Sequence, residues 1–177
     1  MNNLVRISFF IAVFGVGIAV VLSNHRALAN GQADRSAASP AETSTQAVDP
    51  LAPGSAQLIN PDDLLAILQS AHGPKPLILN VGPHLIYMQA HIPGAEFIGS
   101  TSDSQGAESF RRRVKPLPRN TFIVLYCGCC PWSHCPNVHP AYRQLQKAGF
   151  TNVKVLYIAD DFGTDWVNKG YPTIKGQ

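Results

Sequence analysis

The sequence predicts an α/β fold in which a central, mostly parallel sheet is covered by helices on both faces. Three observations lead there. Residues 77–81, 121–126 and 153–158 are short, nearly continuous apolar runs rich in β-branched and aromatic types, the pattern of strands buried on both faces. Between them lie stretches whose apolar residues recur at helical spacing. The joints are short, which favours parallel strands linked by helical crossovers.

The chain has 177 residues, 45% hydrophobic and 14% charged, which suits one globular domain. Residues 1–6 are short and basic, residues 7–22 are apolar apart from Ser8, and Ala27-Leu28-Ala29 is a small-x-small cleavage site. Residues 1–29 therefore read as a signal peptide cut before Asn30, and the expected address is outside the cytoplasm, in the periplasm. An uncleaved anchor is the competing reading, and only then would the membrane be a partner. Removing 1–29 removes Arg6 and Arg26 and no acid, so the formal charge falls from +3 to +1. Such a balance excludes nucleic acid as an expected partner.

Residues 30–55 are rich in Ala, Ser, Thr, Gln, Pro and Gly without apolar periodicity, the composition of a flexible linker. The domain is expected over 56–177. Asn60-Pro61-Asp62-Asp63 opens a helix: a cap, Pro at the first position, and acids in the first turn. Leu64, Leu65, Ile67, Leu68 and Ala71 form its apolar face. The strand at 77–81 follows, then a helical turn or two at 84–90, and a turn at 91–95 feeding a short strand. Residues 106–114 predict a helix whose Arg111, Arg112 and Arg113 form a solvated face, with a basic rim for a small anion as the alternative. Residues 165–167 predict a short helical segment before a terminal turn at Gly170-Tyr171-Pro172.

All four cysteines, Cys127, Cys129, Cys130 and Cys135, lie in the joint between the strand at 121–126 and a helix that Asn137 is placed to cap. That helix shows its apolar spacing at Val138, Ala141, Tyr142, Leu145 and Ala148, with Gly149 as the stop. Four cysteines in nine residues, interleaved with Gly and Pro, are not explained by packing. A helix N-terminus aimed at them lowers a thiol's pKa and supplies thiolate, and Cys127 at the strand end is expected to be the most acidic. In a parallel sheet, ligands bind beyond the carboxyl ends of the strands, which is where this loop sits.

These motifs together resemble a rhodanese-like domain, of the sulfurtransferase family, over about residues 57–173. His91-Ile92-Pro93-Gly94-Ala95 is similar to the family's turn, with Tyr87 as its upstream aromatic. Residues 123–127 resemble the strand that ends in the catalytic cysteine. Gly149-Phe150, Val153, Trp166 and Gly170-Tyr171-Pro172 follow the family's closing pattern in order. Four departures stand out. Asn80 and Gly82 replace the family's usual Asp and Arg, Ala90 replaces a Gly, Trp132 and Ser133 stand where Arg and Ser are common, and the loop runs longer, to Asn137. Pro131 and Pro136 have no amide hydrogen to contribute to a ring of backbone donors around a persulfide.

The resemblance implies persulfide transfer through Cys127, with a small sulfur-containing substrate or a thiol partner protein and no cofactor. Cys127 attacks a sulfane sulfur, holds it, and releases it to an acceptor. Gly128, Trp132, Ser133 and His134 are the expected substrate-binding loop. Beside this stands a dithiol reading, in which Cys127 and Cys130 form a C-x-x-C pair and Cys129 or Cys130 resolves an adduct on Cys127. Cys135 is assigned a structural or redox part, with pairing to Cys130 as a brace. Trp132 fits equally a core filler and a pocket wall. The spacing suits no structural zinc site, and no metal is assigned. Thiolates with His134 or His139 around a soft metal, and a non-catalytic binding module, complete the alternatives.

Overall fold

The computed structural model describes Leu51 and residues 57–176. The predicted signal peptide and most of the predicted linker lie outside the described residues. Among the described residues, no helix is long and apolar enough to cross a membrane.

Five strands form one sheet, in the order β1-β5-β4-β2-β3: β1 Leu58–Ile59, β2 Leu77–Asn80, β3 Glu96–Phe97, β4 Ile123–Tyr126 and β5 Val153–Leu156. Every pairing between them is parallel. The neighbours β2 and β4 run in register over four residues, from Leu77↔Ile123 to Asn80↔Tyr126, so both strands end at the same level. The predicted strands at 121–126 and 153–158 are shorter than their apolar runs, and the surplus residues flank the sheet in loops.

The helices are α1 Pro61–Gln69, α2 His84–Gln89, α3 Ser104–Val114 and α4 Val138–Lys147. Pro61 opens α1, with Asp62 and Asp63 in its first turn where the helix dipole favours acids. Only Leu64 of its apolar face is fully covered, and Ala71 is exposed beyond the helix end. α3 begins two residues earlier than predicted, because Asp103 accepts the Gly106 amide at 2.7 Å and so supplies an N-cap. Residues 163–167 form a five-residue π-helical turn.

Side chains alternate across β4 because strand residues point to opposite faces in turn. Ile123, Leu125 and Cys127 join Phe110, Val114, Tyr142 and Leu145 in one core layer under α3 and α4. Val124 and Tyr126 join Leu64, Tyr87, Ile92 and Trp166 in the other. The two-sided burial predicted for the sheet is thus present, and the same alternation sends the Cys127 thiol to the α4 side. Leu51, in the stretch assigned to the linker, is buried in the α3–α4 layer, so part of that stretch belongs to the folded unit.

The last segment closes the second layer. Trp166 is fully buried, its indole N–H donates to the Pro172 carbonyl at 2.9 Å, and Tyr171 packs edge-on against it. Beyond it, Ile174 and His91 exchange backbone hydrogen bonds of 2.9 and 3.0 Å. His91 stacks on Tyr87 at 3.8 Å between ring centres, with its Nδ1 2.9 Å from the Tyr87 carbonyl. The Tyr87 hydroxyl donates to the Ala95 carbonyl at 2.8 Å. The turn at 91–95 is therefore a packed brace.

Candidate active site: a four-thiol loop at the end of the central strand

The chain leaves β4 at Cys127, and the loop is shaped by three local devices. Gly128 has φ 88° and is covered so closely that a Cβ there would lie 3.1 Å from the Phe162 Cβ, a backbone state that glycine adopts without penalty. Its carbonyl accepts the Phe162 amide at 3.1 Å. Residues Trp132–His134 make one 3-10 turn, anchored by the Trp132 amide on the Ile158 carbonyl at 2.8 Å. The chain then enters α4.

All four cysteines are free thiols. Cys127 and Cys135 are buried, and Cys129 and Cys130 are partly exposed. The Cys127 Sγ lies 3.2 Å from the Cys129 Sγ, which lies 3.0 Å from the Cys130 Sγ. The sulfurs of Cys127, Cys129 and Cys135 are all within 4.8 Å of one another. The C-x-x-C pairing expected for Cys127 and Cys130 is therefore interrupted: Cys129 stands between them.

Electrostatics places the negative charge away from the strand end. The thiol of Cys127 donates toward Cys135, and this bond together with burial pushes Cys127 far above the ordinary thiol range. The same bond, with the amides of Val138 and Asn137, brings Cys135 down to about 6. Burial raises Cys130. The expectation that Cys127 would be the most acidic thiol is thus overturned, because Cys127 donates its hydrogen bond to Cys135, which the amides of Val138 and Asn137 also face.

Asn137 occupies the N-cap position, but its side chain does not cap the helix. Its Nδ2 donates to the Cys127 sulfur at 3.4 Å and its Oδ1 accepts the Ser102 amide at 2.9 Å. Thr101 donates to its carbonyl at 2.6 Å. Asn137 is buried, so these contacts orient it against the thiols from both sides.

The departures at Asn80 and Gly82 form one arrangement. Asn80 accepts the Gly82 amide at 3.1 Å and donates to the Cys127 carbonyl at 3.3 Å. A carboxylate in its place could only accept and would repel that carbonyl. A Cβ on Gly82 would fall 2.4 Å from the Cys127 carbonyl oxygen and 2.8 Å from its sulfur. Loss of the usual Asp and Arg therefore lets the end of β2 pack directly on the cysteine. Sequence reading found these two positions as departures but not as contacts of the site, and it missed Thr101 altogether.

The expected substrate loop divides. Gly128 and Cys129 line a cavity of about 380 Å³ together with Ile86, Ala90, Asp161 and Phe162. Trp132 is buried in the core layer beside Tyr157 and His139, which assigns it to packing. Ser133 and His134 are exposed and hydrogen-bond to each other at 2.9 Å. The Nε2 of His139 lies 3.1 Å from the Trp132 carbonyl. Neither histidine is grouped with the thiols. A second cavity of about 440 Å³, lined by Leu65, Leu68, Lys75, Ile78 and Trp166, has no thiol. The arginines of α3 behave as a solvated face: Arg113 forms a two-pronged pair with Glu96 at 2.6 and 2.8 Å, and Arg111 pairs with Glu108.

The rhodanese-like domain family matches residues 60–157, and the chain belongs to that family. A crystal structure of the Alr3790 protein from Anabaena sp. is similar at 22% identity and a TM-score of 0.51, covering 67% of this chain and 92% of that one. The solution structure of the rhodanese-like domain from the same Anabaena protein gives 22% identity and a TM-score of 0.50, covering 67% of this chain and 79% of that one. At such identities the likeness establishes the fold. No curated protein matches the chain.

Proposed function

We propose that the loop accepts sulfane sulfur from an organic persulfide, with Cys129 as the receiving thiol and Cys127 as the resolving one. The observation that carries this reading is the 3.2 Å contact between a buried Cys127 sulfur and the partly exposed Cys129 sulfur. Cys129 also lines the cavity beside the loop, whereas Cys127 is only 2% exposed. This moves the receiving position from Cys127, where the resemblance put it, to its neighbour.

The Cys129 thiolate attacks the outer sulfur of the donor R–S–SH, the R–S⁻ thiolate leaves, and Cys129 carries the persulfide. A nucleophilic acceptor takes the outer sulfur in sulfur transfer. Without an acceptor, Cys127 passes its proton to its hydrogen-bonded partner Cys135 and attacks the inner sulfur of Cys129, hydrosulfide leaves, and a Cys127–Cys129 disulfide remains for an external dithiol to reduce. Among the cavity's lining residues Asp161 is the one carboxylate and there is no base. That supports a thiol-bound donor over a small dianion such as thiosulfate, which a carboxylate repels.

The test is to treat the reduced full-length protein with cysteine persulfide, map the added sulfur by peptide mass, and measure hydrosulfide. Cys129→Ser should carry no adduct, and Cys127→Ser should accumulate it on Cys129 while hydrosulfide release stops. An adduct on Cys127 at undiminished rate in Cys129→Ser would overturn the assignment.

A further inference from the structure

We infer that Cys127, Cys129 and Cys135 form a three-thiolate site for a monovalent soft cation, with Cu(I) as the fitting ion. The inference stands on geometry independent of the sulfur-transfer reading. Three thiolates bound about 2.3 Å from a central ion lie about 4 Å apart in a trigonal plane. Here the three sulfurs fall within 4.8 Å of one another, with 3.2 Å between Cys127 and Cys129. Small side-chain rotations bring them to the required triangle.

The number and softness of the ligands choose the ion. Thiolates select Cu(I) over harder cations, and structural zinc takes four ligands in a tetrahedron. Cys130 contacts Cys129 at 3.0 Å but lies outside the group of three. Nδ1 of His134 faces Ser133, Nε2 of His139 faces a backbone carbonyl, and neither histidine belongs to the group. Among the described residues these three sulfurs are the ones that all lie within 4.8 Å of one another, and Cys130, which touches Cys129 and Cys135, stays outside that group.

The surroundings suit an anionic thiolate complex. The amides of Asn137 and Val138 face Cys135, and the Asn137 side-chain amide donates to the Cys127 sulfur. These donors supply the second shell that a metal-thiolate centre needs. The apolar layer around Cys127 and Cys135 excludes water, and partly exposed Cys129 is the point of entry and exit. Binding replaces thiol protons, which leave to solvent, and involves no change in oxidation state. An occupied site holds the thiols that sulfur chemistry would use, so the two occupancies exclude each other.

The experiment is an anaerobic titration of the reduced full-length protein with Cu(I), buffered by a chromogenic Cu(I) chelator, with X-ray absorption on the loaded protein. One ion per chain bound by three sulfurs is expected. Cys127→Ser, Cys129→Ser and Cys135→Ser should each lower the affinity at least a hundredfold, while Cys130→Ser stays within about threefold. Circular dichroism of each variant separates ligand loss from unfolding, and a folded Cys135→Ser variant of unchanged affinity would overturn the inference. Equal losses at all four cysteines, or a tetrahedral zinc or cobalt(II) centre requiring Cys130, would do so too.

Discussion

Replacing Gly82 by Ala tests whether the end of β2 positions the thiol loop by direct contact. The added Cβ would stand 2.4 Å from the Cys127 carbonyl oxygen and 2.8 Å from its sulfur. Carbon and oxygen rest at about 3.3 Å or more, so the strand ends must part by roughly 1 Å. They are not free to do so, because the Val81 amide is bonded to the Tyr126 carbonyl at 2.9 Å and Asn80 holds the Cys127 carbonyl. Forced packing of this kind costs about 1–3 kcal/mol. The stiffer unfolded chain returns about 0.4–1 kcal/mol, leaving a net loss of about 1.3 kcal/mol. For a folded unit of this size that is a fall of about 5 °C in Tm. The same displacement separates Cys127 from Cys129, so hydrosulfide release from the persulfide should slow while the adduct still forms. Thermal denaturation and persulfide mapping on one preparation read both effects. A variant with wild-type Tm and wild-type hydrosulfide release would refute the close-approach argument.

Asn137→Ala removes the acceptor of the Ser102 amide and the donor to the buried Cys127 sulfur, and should cost about 0.5–1.5 kcal/mol in urea denaturation; a loss below about 0.5 kcal/mol would show that water replaces it. The Glu96–Arg113 pair sets a pH dependence, because the Arg113 hydrogen bonds hold the Glu96 carboxyl below the ordinary carboxylate range. A depressed carboxyl stabilises the fold above its unfolded pKa of about 4.3 and loses that contribution as pH falls through the lower, folded value. With the side chains 33% and 40% exposed, the contribution should stay under about 1 kcal/mol. Arg113→Gln should therefore narrow the stability difference between pH 7 and pH 3, and an unchanged difference would show the pair to be inert.

The elements and their order could be read from the sequence because they follow from local rules. Apolar runs at residues 77–81, 121–126 and 153–158 are satisfied inside a sheet covered twice, and the protein has that sheet with every strand parallel. Pro61 with two acids behind it marks a helix start wherever it occurs, as does the change to helical spacing after Asn137. The clustering of four cysteines at the end of β4 was equally plain. The assignment of parts within the loop was not. C-x-x-C spacing pointed to Cys127 with Cys130, yet the turn at Gly128 and the 3-10 turn after Pro131 place Cys129 against Cys127 instead. Asn137 read as a cap because the sequence does not show that Ser102 and Cys127 converge on its side chain. Asn80 and Gly82 read as losses from a family pattern. Their contact with Cys127, 47 positions from Asn80 in the chain, exists only because β2 and β4 are neighbours in register. Local propensities depend on neighbours along the chain and are legible there. Thiol acidity, exposure and partnership depend on which amides, carbonyls and sulfurs meet across the sheet, and only the packed tertiary structure decides that.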